Sequence, residues 1–399
     1  MESVFQIFKK IPACRQAGKN SKARKSRLKT MHGKVDLPNF MPIATRAAVK
    51  NLTSDELKEI GAEIILSNTY HLFLRPGVEI IKGAGGLHQF MNWPGPILTD
   101  SGGYQVFSLA KWRKIKKEGV EFSSEIDGQK FLLTPEKAIE IQKDLGADIM
   151  ICLDVCPAGQ ESYEEIKKAA DITFAWAKRA KKVFARNESL PESRRSAFGG
   201  KKQLLFGIVQ GGIYPDLREK SAREITSLSF DGYALGGFFV GEEEKNSWPV
   251  IRKTISFLPS DKPRYLMGAG RPEQIVKAVK LGIDLFDCVI PTRNARHGLV
   301  YVNTKSQITN YKLQTNSKSQ IPNKFYEEIH IANSKYTKDF SPVDKNCSCF
   351  TCQNFSRAYL RHLYLTKEPL ALRLLTIHNL YFYLSLMKRI RENIELGNL

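Results

Sequence analysis

Three stretches of the chain share one polarity pattern. "EIGAEIILSN", "DLGADIMICLD" and "KLGIDLFDC" each run from a helix-spaced segment into Gly61, Gly146 or Gly282, then a small or apolar residue, an acid and a short apolar run. Glycine in that place fits the left-handed residue that ends a helix. Two of the helices also begin legibly: Thr134 can cap ahead of Pro135, and Pro272 opens a helical run through Lys280. Helix, tight turn and buried strand, repeated, predict a parallel α/β architecture.

The apolar runs predict eight core strands, at 40–44, 64–68, 97–99, 149–153, 204–209, 233–236, 264–268 and 284–288. Continuous runs such as "IMICL" and "LLFGIV" suit strands buried on both faces. Eight such strands alternating with helices predict an irregular (β/α)8 TIM barrel, with a doubly wound open sheet as the alternative. Around this frame, residues 1–30 read as a basic N-terminal extension and barrel cover. Residues 31–302 read as the catalytic barrel, with a polar loop insertion at 186–203. Residues 303–345 are polar and poor in regular periodicity, and 355–395 are helical in spacing. Together 303–399 are expected to form a C-terminal zinc-binding subdomain with terminal helices.

The formal net charge of +20 on a chain that is 42% hydrophobic changes the picture from a generic enzyme barrel to one with a polyanionic partner, nucleic acid above all. Arg293, Arg296 and His297 in "PTRNARHG" sit where such a partner would pass the eighth strand, and "KWRKIKK" at 111–117 adds basic surface. No apolar run reaches the ~20 residues of a membrane span. The run from Leu363 to Met387 is interrupted by Lys367, Glu368, Arg373 and His378, so no membrane partner is expected. The basic N-terminus lacks the apolar block of a secretory signal. Three of the seven cysteines crowd between Cys347 and Cys352, which points to a reducing cytoplasm and a metal site instead of a disulfide framework.

Polar residues collect at the predicted strand ends. Asp100, Asp154, Gln210, Gly236 with Gly237, Gly268 and Asp287 follow the third to eighth strands. Barrel active sites are built at that C-terminal face. Two converging carboxylates suit displacement at a sugar carbon, one attacking and one handling the leaving group's proton. The remaining Asp, the Gln amide and bare glycine backbone suit the edge of a planar base. Separately, Cys347-x-Cys349-x-x-Cys352 and His378 make a closed set of three thiolates and one imidazole, expected to hold one structural zinc ion per chain. His362 is the alternative fourth ligand, in a periodic helical run that favours a surface or packing role.

"TDSGGYQVFSL", "GIVQGG", "ALGGFFVGE", "YLMGAG", "FDCVIPTRNARHG", "CSCFTC" and "HNL" resemble the motifs of the bacterial tRNA-guanine transglycosylase family, over about Gly33 to Asn393. The resemblance implies the same barrel with a zinc-binding subdomain. It implies exchange of the guanine at the anticodon wobble position of G-U-N tRNAs for 7-aminomethyl-7-deazaguanine, with a queuine-salvaging transglycosylase or a non-catalytic tRNA-binding partner subunit as the alternatives. On this chain it makes Asp287 the nucleophile and Asp100 the general acid/base. Asp154, Gln210 and Gly237 would hold the base edge, Tyr104 and Met267 would sandwich the ring, and Phe238 joins this base-binding set. Arg293, Arg296 and Arg271 would contact tRNA. The implied partners are the tRNA anticodon stem-loop, a 7-deazaguanine base and a second copy in a homodimer. The chain departs from the family's habit at Arg46, Val155, Phe238 and Phe239, which surround the base pocket.

Overall fold

A computed structural model describes residues 3–11, 21–110, 112–188, 202–304, 308 and 325–399. Its central sheet is parallel: β1 (Asn39–Met41 continuing as Ile43–Ala44), β2 (Ile65–Ser67), β3 (Ile97–Thr99), β4 (Ile149–Ile151), β5 (Leu204–Val209), β6 (Gly232–Leu235), β7 (Arg264–Leu266) and β8 (Leu285–Asp287). β1 is split at Pro42, which has no N–H for a ladder. Its first half pairs with β8 and its second half with β2, so one broken strand closes the sheet into an α/β barrel. The eight predicted strands are all present, four of them two residues shorter than their apolar runs. Gly61, Gly146 and Gly282 take positive φ at the helix ends, as their spacing predicts. Thr134 accepts from Lys137 N at the start of its helix.

Inside the barrel, Leu66, Leu98, Ile149, Ile151, Phe206, Ile208, Tyr265 and Leu285 form one apolar core, and a second, larger core lies between the strands and the outer helices. Three pieces of sheet were not predicted, the first of them within and just beyond the segment read as a barrel cover. An antiparallel sheet of Phe5–Lys10, Arg24–Thr30 and Gly33–Leu37 plugs the barrel floor, adding Phe5, Leu28, Val35 and Leu37 to the inner core. A second antiparallel sheet, Arg113–Ile115, Val120–Ser123 and Lys130–Leu133, is inserted between β3 and β4. Tyr326–His330 pairs with Leu299–Asn303, so the stretch expected to lack regular structure contains a strand. The helix Tyr163–Glu188 runs into the start of the predicted 186–203 insertion, whose residues 189–201 lie outside the described residues, as do 12–20 of the N-terminal segment and Lys111 of the basic run. The terminal helical stretch is two helices, Arg357–Leu365 and Pro369–Glu395, parted by Lys367 at φ 60° and Pro369. The second is long and apolar enough to cross a membrane, but 72% of its apolar window is buried inside the protein, so it is a core helix.

The floor explains the acid in the recurring pattern. Glu63, Asp148 and Asp284 each stand one or two residues before a strand, at the barrel end away from the predicted site. Each grips the N-terminal sheet. Glu63 accepts from Asp36 N at 2.6 Å. Asp284 accepts Nε and Nη2 of Arg24 at 2.9 and 2.6 Å, a bidentate buried pair. Asp148, fully buried, accepts from the backbone N–H groups of His32 and Ile97 and lies 3.0–3.1 Å from the rings of His32 and His88. These donors hold its carboxyl well below the usual range despite burial. His32, His88 and Asp148 are close enough to suggest a metal group. The ring geometry argues otherwise. Imidazole lone pairs lie in the ring plane, and these rings are stacked at 3.5 Å and 21°. Near-parallel planes share no point at a bond length of about 2.1 Å from both nitrogens. His88 Nε2 also faces Gly95 O at 3.1 Å, which only accepts, so this nitrogen donates. The cluster is a hydrogen-bonded clasp.

Asp148→Asn places an amide NH2 among groups that themselves donate. It is expected to lower the unfolding free energy by about 3 kcal/mol, read by urea denaturation. A change below about 0.5 kcal/mol, the range of a neutral surface substitution, would contradict the clasp.

Candidate active site

At the opposite barrel end, each candidate residue follows a strand. Asp100 comes directly after β3, Asp154 after β4, Gln210 after β5, Gly237 after β6, Met267 after β7, and Asp287 is the last residue of β8. The short strands end where the sheet opens, so backbone groups beyond them are free to turn toward the barrel axis.

Asp100 is 8% exposed and receives four donors: Asn68 Nδ2 at 2.5 Å, Thr69 N at 2.9 Å, Gly102 N at 3.1 Å and Gln105 Nε2 at 2.9 Å. Donors favour the carboxylate, yet burial outweighs them and pushes the group up to about 6. The loop that makes this possible needs Gly102 at φ 79°, where its N–H points back at Asp100. Asp154 is also pushed to about 6, by burial first and then by the charge of Asp100, against hydrogen bonds from Gln210 Nε2 at 2.7 Å and Ser101 Oγ at 3.3 Å. Gln210 spans toward β6: a Cβ on Gly237 would lie 2.4 Å from Gln210 Oε1, so only glycine lets that backbone approach. Asp287 is raised by burial as well, and both its donors, Tyr265 OH at 2.6 Å and Gly268 N at 2.9 Å, fall on Oδ1. Burial first, then the charge of Asp287 and, less, that of Asp100, pushes the Tyr265 hydroxyl well above its ordinary value.

Tyr104 is half exposed on the first turn after Asp100, close to Cys156 behind β4, and Met267 is half-buried beside Gly268. Arg293 is exposed and Arg296 half-buried on the helix Ile290–Arg296 that follows Asp287. Arg271 is exposed at the start of Pro272–Lys280. Phe238 is 2% exposed, with its ring face covered by the Arg218 guanidinium at 3.7 Å, so its backbone is what it can offer a ligand.

Arg218 itself was not expected. In "PDLREKSA" it reads as a surface helix residue, but it is fully buried and donates to four carbonyls at the ends of β5 and β6: Gly212, Val209, Gly236 and Gly237. Burial pulls it down to about 9. Asn68 and Glu242 are further residues that the sequence pattern left unmarked. Glu242 accepts from the N–H groups of Phe239 and Val240 and braces the loop after β6. No local signal distinguishes these from solvated polar residues.

Away from the mouth, Cys347, Cys349, Cys352 and His378 are all buried and together. Their sulfurs lie 3.8, 3.5 and 3.2 Å from His378 Nδ1. A tetrahedral ion with thiolate and imidazole ligands has S···N edges of about 3.6 Å. His378 Nε2 donates to Tyr301 O at 2.7 Å, which leaves Nδ1 as the lone-pair nitrogen facing the sulfurs. The group fits a metal ion with all four positions taken by protein. His362 is exposed and outside it.

Two outcomes are expected here. Cys349→Ser should lose most of the bound metal by elemental analysis, and unchanged metal content would refute the ligand set. Asp154 is ionised at a cost: its stability contribution is full below the ordinary carboxylate pKa and is lost as pH rises through about 6. Asp154→Asn should therefore gain on the wild type by about 2–3 kcal/mol between pH 4 and pH 8 in urea unfolding. A difference independent of pH would contradict the raised carboxyl.

A family model described as queuine tRNA-ribosyltransferase matches residues 19–399. Curated proteins of that same description are similar along nearly the whole chain. The one from Thermoanaerobacter sp. (strain X514) is 49% identical, over 94% of this chain and 90% of its own length. That from Natranaerobius thermophilus is 48% identical, over 96% and 94%. That from Listeria welshimeri serovar 6b is 48% identical, over 94% and 90%.

Proposed function

The chain belongs to the queuine tRNA-ribosyltransferase family, the tRNA-guanine transglycosylase enzymes, and from that membership we propose that it exchanges the wobble guanine of G-U-N tRNAs for 7-aminomethyl-7-deazaguanine by double displacement. The observation that carries the reading is the pair of desolvated carboxyls with different surroundings. Asp100 sits near 6, so part of it is protonated at neutral pH and can donate. Asp287 has Oδ1 held by two donors, which stabilise its anion and leave Oδ2 to attack.

In the first step Asp287 Oδ2 forms a bond to ribose C1′ as the bond from C1′ to guanine N9 breaks, and Asp100 delivers its proton to the departing base. In the second step N9 of the incoming deazaguanine attacks C1′, its proton passes to Asp100, and the Asp287 carboxylate leaves. Two inversions give retention, and the phosphodiester backbone is untouched. The target nucleotide must leave its stack to reach carboxyls as buried as these. In this reading Asp154, Gln210 and the Gly237 backbone take the base edge, and Tyr104 with Met267 its faces. Asp154 pushed toward neutrality can both donate and accept, which suits a guanine-like edge. Arg293, Arg296 and Arg271, with a +20 chain, supply phosphate and anticodon contacts. In this reading the metal is zinc, structural because no ligand position is open. The protein works in the cytoplasm as a homodimer on the anticodon stem-loop.

Purified protein should incorporate labelled guanine into unmodified tRNA with a G-U-N anticodon, and Asp287→Ala should lower that exchange at least about 10^3-fold. Exchange surviving in Asp287→Ala would sink the nucleophile assignment. Competition among guanine, the aminomethyl base and queuine should favour the aminomethyl base. Preference for queuine would overturn the substrate.

A further inference from the structure

The core helix Pro369–Glu395 joins the metal group to the nucleophile. His378 faces the three sulfurs through Nδ1. The next residue, Asn379, is fully buried. It donates to Pro291 O at 3.1 Å and Leu299 O at 2.9 Å and accepts from Tyr301 N at 3.3 Å, so it clamps both ends of the segment after β8. One turn further, on the same face, the hydroxyl of Tyr383 donates to Gly270 O at 2.6 Å. Tyr383 is 0% exposed, and its ring is fixed against Phe40 of β1 and Tyr301 at centroid distances of 4.9 and 5.4 Å.

Gly270 belongs to the turn after β7, the turn whose Gly268 N–H binds Asp287 Oδ1. It also lies against the residue after Asp287: a Cβ on Gly270 would meet Cys288 Sγ at 2.2 Å. The turn is therefore pressed between the helix and the end of β8, and Tyr383 holds its outer edge.

We propose that Tyr383 is a positioning residue for the reaction: by holding Gly270 O it sets the turn that presents Gly268 N–H to Asp287, so the metal-bearing helix orients the nucleophile. Losing one buried hydrogen bond that acts through this turn is worth about tenfold in rate. The proposal rests on the reading of Asp287 as nucleophile.

The test uses the full, metal-loaded chain and Tyr383→Phe, which removes only the hydroxyl. Expected are unchanged metal content, KM for guanine and for tRNA within about twofold, and about tenfold losses in kcat and in the single-turnover rate of covalent adduct formation with tRNA in the absence of free base. Wild-type kcat and adduct rate, or a loss confined to KM, would overturn the proposal. Should Tyr383→Phe fail to fold, Gly270→Ala decides: it pushes the turn off Cys288 with no substitution in the helix, and must lower kcat with metal retained. Unchanged kcat there overturns the proposal. An adduct that still forms in Asp287→Ala refutes the nucleophile reading instead, whatever the Tyr383 variant does.

Discussion

Burying carboxyls at one end of a closed sheet is the constraint on which this protein depends. A carboxylate taken out of water loses hydration that hydrogen bonds only partly replace. At Asp100 four donors do not suffice, and the group rises to about 6. At Asp154 an amide, a hydroxyl and a neighbouring negative charge leave it at a similar value. A fold that places three such groups around one opening destabilises itself there, and the rest of the barrel must hold them in place.

The opposite end does that holding. Glu63, Asp148 and Asp284 are acids too, but each is anchored by at least one donor from residues 24–36 and by others from the barrel or the C-terminal helix. Asp148 is driven well below its usual range by its partners, while Asp100 is driven above it by burial. The difference is the balance of donors against desolvation. At the site end, Arg218 reverses the usual habit of a buried cation. It has carbonyls and an aromatic face where a carboxylate would be usual, and it ties the ends of β5 and β6 that flank Gln210. The C-terminal helix completes the frame by joining a closed metal group to the segment after β8 through Asn379 and Tyr383.

The repeating units and the polar residues at their ends are legible in the sequence. The turn glycines, the apolar runs and the acids after β3, β4 and β8 are local signals, because helix ends and doubly buried strands constrain the residues that form them. The Cys347, Cys349, Cys352 and His378 set was equally legible, since metal ligation restricts residue types at short spacing. What the remaining polar residues do is visible only in the folded chain. The acids of "GAE", "GAD" and "GID" look alike in sequence, and their role as floor anchors appears once residues 24–36 fold beneath them. Arg218, Asn68 and Tyr383 act through partners as far as 113 positions away in the chain, as Tyr383 does on Gly270. A side chain's burial and its partners are set by the closed barrel as a whole. Two aspartates of identical composition therefore become a clasp at one end and a carboxyl raised by burial at the other.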